Sequence, residues 1–81
     1  MQVERLVTMA NDIAKFFASE SPPVEAAQNV ASHLSRFWDP RMRREIILHA
    51  QSGGAGLSDL ARSAVGLLKM PAGAAASPPN R

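Results

Sequence analysis

Four arginines crowd into RFWDPRMRREI, residues 36–46, around the only tryptophan of the chain. A guanidinium is a planar fork of donors that matches carboxylates, phosphates and backbone carbonyls. Arg41, Arg43 and Arg44 follow Asp39-Pro40, a pair that starts a helix, and so they fall where free N–H groups already carry partial positive charge. Each is disfavoured there by about a few tenths of a kcal/mol. One reading is a solvated cationic face with Asp39 pairing one arginine, which would contribute little. The sharper reading is a surface that another molecule covers. On it Arg36, Trp38, Asp39, Arg41, Arg43 and Arg44 form the candidate partner-binding set, with Trp and Arg as the anchors that protein–protein contacts favour. Trp38, at the turn, can pack its body inward and leave an edge for a partner, whereas Phe37 is expected in the core.

Little else could carry a reaction. The two histidines, His33 and His49, fall on different predicted helices with no HxxxH or HExxH spacing. His33, between Val30 and Phe37, is expected at a core boundary, donating to a carbonyl or to water. The seven acids are scattered without a pair suited to acid–base work. With no cysteine, thiolate chemistry, disulfides, iron–sulfur ligation and cysteine-based zinc sites are excluded. GGAG at 53–56 lacks the preceding strand and the GK[ST] ending of a phosphate loop, and reads instead as a helix exit and linker. No catalytic, cofactor-binding or metal-binding residue is assigned.

The elements that position the cluster follow from hydrophobic spacing. Val3, Leu6, Val7, Ala10, Ile13, Ala14 and Phe17 recur at three and four, predicting a helix over 2–19, with Met9 and Phe16 widening its stripe. Ser21 is the expected cap of a second helix from about Pro22 to Trp38, whose apolar face comprises Val24, Ala27, Val30, Ala31, Leu34, Phe37 and Trp38. Asp39-Pro40 ends it and starts a third over 40–51, with Asp39 as cap and Met42, Ile46, His49 and Ala50 on the inner face, broadened by Ile47 and Leu48. Gly53, Gly54 and Gly56 mark a left-handed exit. Ser58 caps a fourth helix over 59–69, with Leu57 stapling its first turns, Leu60, Ala61, Ala64, Val65 and Leu68 buried, and Pro71 as its stop.

No run alternates long enough for a strand. The fold class is all-α: a small bundle or orthogonal array of four short helices, one domain over 1–70, with a disordered tail over 71–81. At 81 residues and net charge +2 the chain has room for a modest core, and its charge alone does not argue for nucleic acid. Charged residues interrupt the first twenty positions, so no signal peptide is expected, and no run approaches about eighteen consecutive apolar residues, so no membrane span is expected.

LVTMANDIAKFF, VASHLSRFWDPRMRREI and GGAGLSDLARSAV, in that order and spacing, resemble the small delta subunit of soluble, NAD-dependent, molybdenum-containing formate dehydrogenases of bacteria. The likeness runs from residue 6 to about 68. Its most specific parts are MAN at 9–11, HL-RFWDPRMR at 33–43 and GGAGL at 53–57; the stretch after Pro71 departs from it. In such an enzyme the alpha subunit carries a molybdopterin guanine dinucleotide and iron–sulfur clusters, while the beta and gamma subunits carry FMN, further clusters and the NAD site. The resemblance implies that the delta subunit binds no cofactor. It implies a cytoplasmic accessory subunit that supports assembly, maturation or stability of the complex, most directly by contact with the alpha subunit. Two other expectations stay open beside it: a small helical nucleic-acid-binding module using the Arg36–Arg44 basic patch, and a homodimer of the isolated chain through the wide stripe of the first helix.

Overall fold

The computed structural model describes residues 2–71. Four helices follow one another: α1 (Val3–Glu20), α2 (Pro23–Phe37), α3 (Pro40–Gln51) and α4 (Asp59–Gly66). No strand occurs among the described residues. Of the tail expected over 71–81, only Pro71 is described, and it is half-buried; residues 72–81 lie outside the described residues.

Spacing on α1 does what its pattern requires. Leu6, Val7, Ala10 and Ala14 are buried, and Ile13 and Phe17 pack against them at the edge of the core. Met9 and Phe16, which widen the stripe in sequence, remain exposed at 41% and 58%. The small Ala10, Ala61 and Ala64 are fully buried, so their helices come close at these points. α1 and α4 each touch the three other helices and together form the hub of the molecule.

The start of α2 differs from expectation by one residue. Pro22, not Ser21, is the N-cap, and Pro23 takes the first helical position. A residue before proline is pushed out of the helical region, so Pro22 cannot itself be helical; it sits at φ −59°, ψ 144°. The Ser21 hydroxyl accepts instead from Asn29 Nδ2 at 2.8 Å, tying the link to the second turn of α2.

The buried stripe of α2 is also rotated from the expected one. It runs Ala26, Val30, Leu34 and on to Trp38, with Ala31 beside it. Val24, in the first turn, is 90% exposed, and Phe37 is 69% exposed, so neither belongs to the core. The reason for the Phe37 result is the turn that follows it. At Trp38 the chain leaves the helix for an extended conformation (φ −87°, ψ 138°). The indole fills the core at 5% exposure, while Phe37 is left on the outer side of the last helical turn.

α3 has the expected bounds and cap. Asp39 Oδ1 accepts from the Met42 N–H at 2.9 Å, and Pro40 takes the first helical position. Ile46 and Ile47 are its buried residues, with Met42 and Ala50 packed at the rim. The exit is a paired turn: Gly53 N–H donates to Ala50 O at 3.2 Å and Gly54 N–H to His49 O at 2.9 Å. This closure needs a left-handed residue past the helix end, which Gly53 supplies at φ 114°.

Leu57 then enters the core, and the Ser58 hydroxyl accepts from Ala61 N–H at 3.2 Å to cap α4. α4 ends at Gly66, three residues before the expected end at residue 69. Glycine is a poor helix interior residue, and past it the chain tightens into short turns, Leu67 N–H to Ala64 O and Leu68 N–H to Val65 O. Ala61, Ala64 and Val65 are buried as expected, and Leu60 and Leu68 are partly buried.

Candidate partner-binding surface

The corner between α2 and α3 brings the end of one helix against the start of the next, and this explains its most misplaced arginine. The last carbonyls of α2 are unsatisfied and carry partial negative charge. Arg43, from the first turn of α3, reaches back and donates through Nη1 to Trp38 O and, at 3.4 Å, to Ser35 O. It is out of place on its own helix and well placed at the end of the preceding one. Arg36 lies in the last turn of α2, where a cation is also favoured.

The remaining members divide by exposure. Arg36, Asp39 and Arg41 are exposed, and Arg43 and Arg44 are half-buried. Arg44 Nη1 stands 3.4 Å from Glu45 Oε2, the one ion pair among the described residues. Among the described residues Asp39 pairs with no arginine; its carboxylate caps Met42 N–H. Trp38, grouped in sequence with the contact set, lies beneath this surface as part of the core. What the corner presents to solvent is therefore Arg36, Asp39 and Arg41 with the half-buried Arg44, standing on Trp38 and fixed by Arg43.

Beside the corner, α1 and α2 contribute a row of aromatic rings that sequence spacing did not assemble. Phe16 meets Phe17 edge-to-face with centroids 5.1 Å apart. Phe17 meets His33 at 5.9 Å, and His33 lies tilted against Phe37 at 4.7 Å. His33 is half-buried at the core boundary, as expected, and there it also spaces two phenyl rings. Phe16 is 58% exposed. Two shallow depressions of about 240 and 220 Å³ flank the row. The first is floored by Ile13 and edged by Asp12; the second is edged by Asn29, Ser32 and Arg36. The available signal was that Phe16 sat at the margin of its stripe and that Phe37 preceded a helix-ending Asp-Pro.

The glycine segment is a strapped linker. Asn11 on α1 donates from Nδ2 to Gly56 O at 2.8 Å and accepts at Oδ1 from Ser58 N–H at 2.9 Å. His49 Nε2 donates to Ala55 O at 2.8 Å; a carbonyl only accepts, which places the proton on Nε2. Arg62 Nη1 donates to Gly53 O at 2.8 Å, and Nη2 to Gly54 O at 3.3 Å. The carbonyls of residues 53–56 are all claimed by side chains from three helices. His49 therefore serves the loop and not the inner face of α3.

Among the described residues no three His, Cys, Asp or Glu side chains converge to hold a metal, and no helix is long and apolar enough to cross a membrane. His33 and His49 are committed to separate settings, one aromatic and one in the loop. The surface combines exposed rings with Arg36 and Arg41, which make no ion pair among the described residues, above a corner joined by Arg43.

Fold and surface together define a small all-helical protein whose most distinctive exposed features are an arginine corner and an aromatic row. The sequence matches the model of the NADH-dependent formate dehydrogenase delta subunit, FdsD, over residues 5–65, and the chain belongs to that family. No curated protein and no solved structure matches it. The matched span contains all three strapping side chains, Asn11, His49 and Arg62, as well as the whole arginine corner.

Proposed function

We propose that this delta subunit is a non-catalytic accessory component of a cytoplasmic formate dehydrogenase, supporting assembly, maturation or stability of the molybdenum-containing enzyme through protein–protein contacts. The observation that carries this reading is the family match, which spans α2 and α3 in full and nearly all of α1 and α4. The partner is the large alpha subunit, within a complex that also holds the beta and gamma subunits. The contact includes the corner formed by Arg36, Asp39, Arg41 and Arg44, with Trp38 and Arg43 keeping its shape. The chain itself takes up no cofactor and performs no step of formate oxidation.

Two features of the surface support docking over nucleic-acid binding by the same arginines. The net charge is only +2, and Arg43, central to any basic stripe, is already committed to α2 carbonyls. The test is removal of this chain from the producing cells, followed by purification of the formate dehydrogenase. The expected result is a reduced yield of assembled, active complex, restored by supplying the chain. Fully assembled and fully active enzyme without it refutes the proposal.

A further inference from the structure

We propose that the row Phe16, Phe17, His33 and Phe37 is the apolar anchor of the subunit contact. Its occupant would be an apolar segment of a larger formate dehydrogenase subunit that places an Asp or Glu carboxylate against Arg36. This rests on the accessory-subunit reading above and assigns the chemistry of the surface that the partner must match.

The row has three properties that a solvated face does not need. First, Phe16 and Phe37 keep more than half of their surface in water although core positions lie one helical step away. Second, the rings are held rather than loose. Phe17 and His33 stand between them in successive ring contacts of 5.1, 5.9 and 4.7 Å, so the exposed edges have a defined spacing. Third, the depressions on either side offer seats for side chains of another molecule, one floored by Ile13 and Phe17 and the other bounded by His33 and Phe37. Aromatic and arginine side chains at the centre of a patch are where binding energy concentrates.

Charge selects the kind of partner. Arg36 borders the depression beside Phe37, and among the described residues it makes no ion pair. A guanidinium at the rim of an apolar patch is matched by a carboxylate, which it can engage through two parallel hydrogen bonds. An apolar patch with an acid at its edge is thus the complementary surface.

Size argues for a larger subunit over a second copy of this chain. The exposed parts of the two phenyl rings amount to roughly 250 Å², against the roughly 800 Å² per partner that a stable interface buries. Two copies meeting ring against ring leave most of that deficit. A larger subunit can enclose the row and continue onto the Arg41 and Arg44 side of the corner.

The test is co-purification of the full-length chain, tagged, with the formate dehydrogenase from its native host, comparing wild type with the F16S/F37S double variant and with R36E. Both phenyl rings are exposed, so the double variant is expected to melt within a few degrees of wild type, as followed by circular dichroism. Its retention by the complex should fall at least tenfold, and that of R36E several-fold. Wild-type retention of F16S/F37S overturns the anchor while leaving the accessory-subunit reading in place. Failure of the wild-type chain to associate at all overturns both. If the double variant instead abolishes a dimer of the isolated chain and binds the complex normally, the occupant is a second copy and the proposal is wrong. Should F16S/F37S melt far below wild type, F37S alone decides by the same retention measurement, because Phe37 is the most exposed of the rings.

Discussion

Replacing Asn11 tests whether the strap across the glycine linker holds the fold. The carboxamide makes two hydrogen bonds to the linker, 2.8 Å to Gly56 O and 2.9 Å to Ser58 N–H, across 45 and 47 residues of sequence. A neutral hydrogen bond contributes about 0.5–1.5 kcal/mol net. Asn11 is only half-buried, so water can replace part of what is lost, and the lower half of that range applies to each bond. Asn11→Ala should therefore cost about 1–2 kcal/mol. In a domain of this size, about 1 kcal/mol moves the melting temperature by roughly 4–8 °C. The expected fall is thus on the order of 10 °C, measured by thermal denaturation. Asn11→Asp sharpens the test. The carboxylate keeps an acceptor for Ser58 N–H but sets a second acceptor against Gly56 O, so this variant should melt no higher than the alanine variant. If both variants melt within about 2 °C of wild type, the strap contributes nothing and the linker is held by Leu57 packing alone.

Further variants test other contacts described above. Arg43→Ala removes the charged donor from Trp38 O and Ser35 O and should destabilise by about 1–2 kcal/mol. Arg41→Ala should lie within about 0.5 kcal/mol of wild type; equal chemical-denaturation midpoints for the two would refute the capping role of Arg43. Gly56→Ala places a Cβ 3.3 Å from Val7 Cγ1 at φ 87° and should lower stability by about 1–2 kcal/mol. Gly66→Ala meets nothing within 4 Å and should raise the melting point slightly, by about 0.5 kcal/mol of added stability. In the complex, the pair R41A/R44A should weaken retention several-fold with an unchanged melting curve, and undiminished retention would remove the corner from the contact.

The sequence was most informative where a structural rule is local. Asp39-Pro40 and Ser58 are caps whose partners lie three residues away, and both bonds form as the pattern requires. Gly53, Gly54 and Gly56 have the positive φ angles expected of an exit that other residues avoid. Misplacements arose where the outcome depends on how helices meet. Nothing local distinguishes Phe37 from Trp38; the extended geometry at Trp38 turns one inward and leaves the other out. Arg43 looked anomalous because its partners belong to α2, and only the angle of the corner brings them together. Helical spacing on α1 gives Asn11 no role, since both its bonds reach the linker 45 and 47 residues further along the chain. The aromatic row escaped for the same reason, being shared between two helices.

Arg43 also has a consequence for recognition. By joining the tail of α2 to the head of α3 it locks the bend between them, and with it the separation of Arg36 and Phe37 on one arm from Arg41 on the other. Groups kept at constant spacing lose little freedom when a neighbour closes over them. In the docking proposed above, the delta subunit would therefore present a surface that is already ordered, so that little of the entropy lost on contact would fall on this chain.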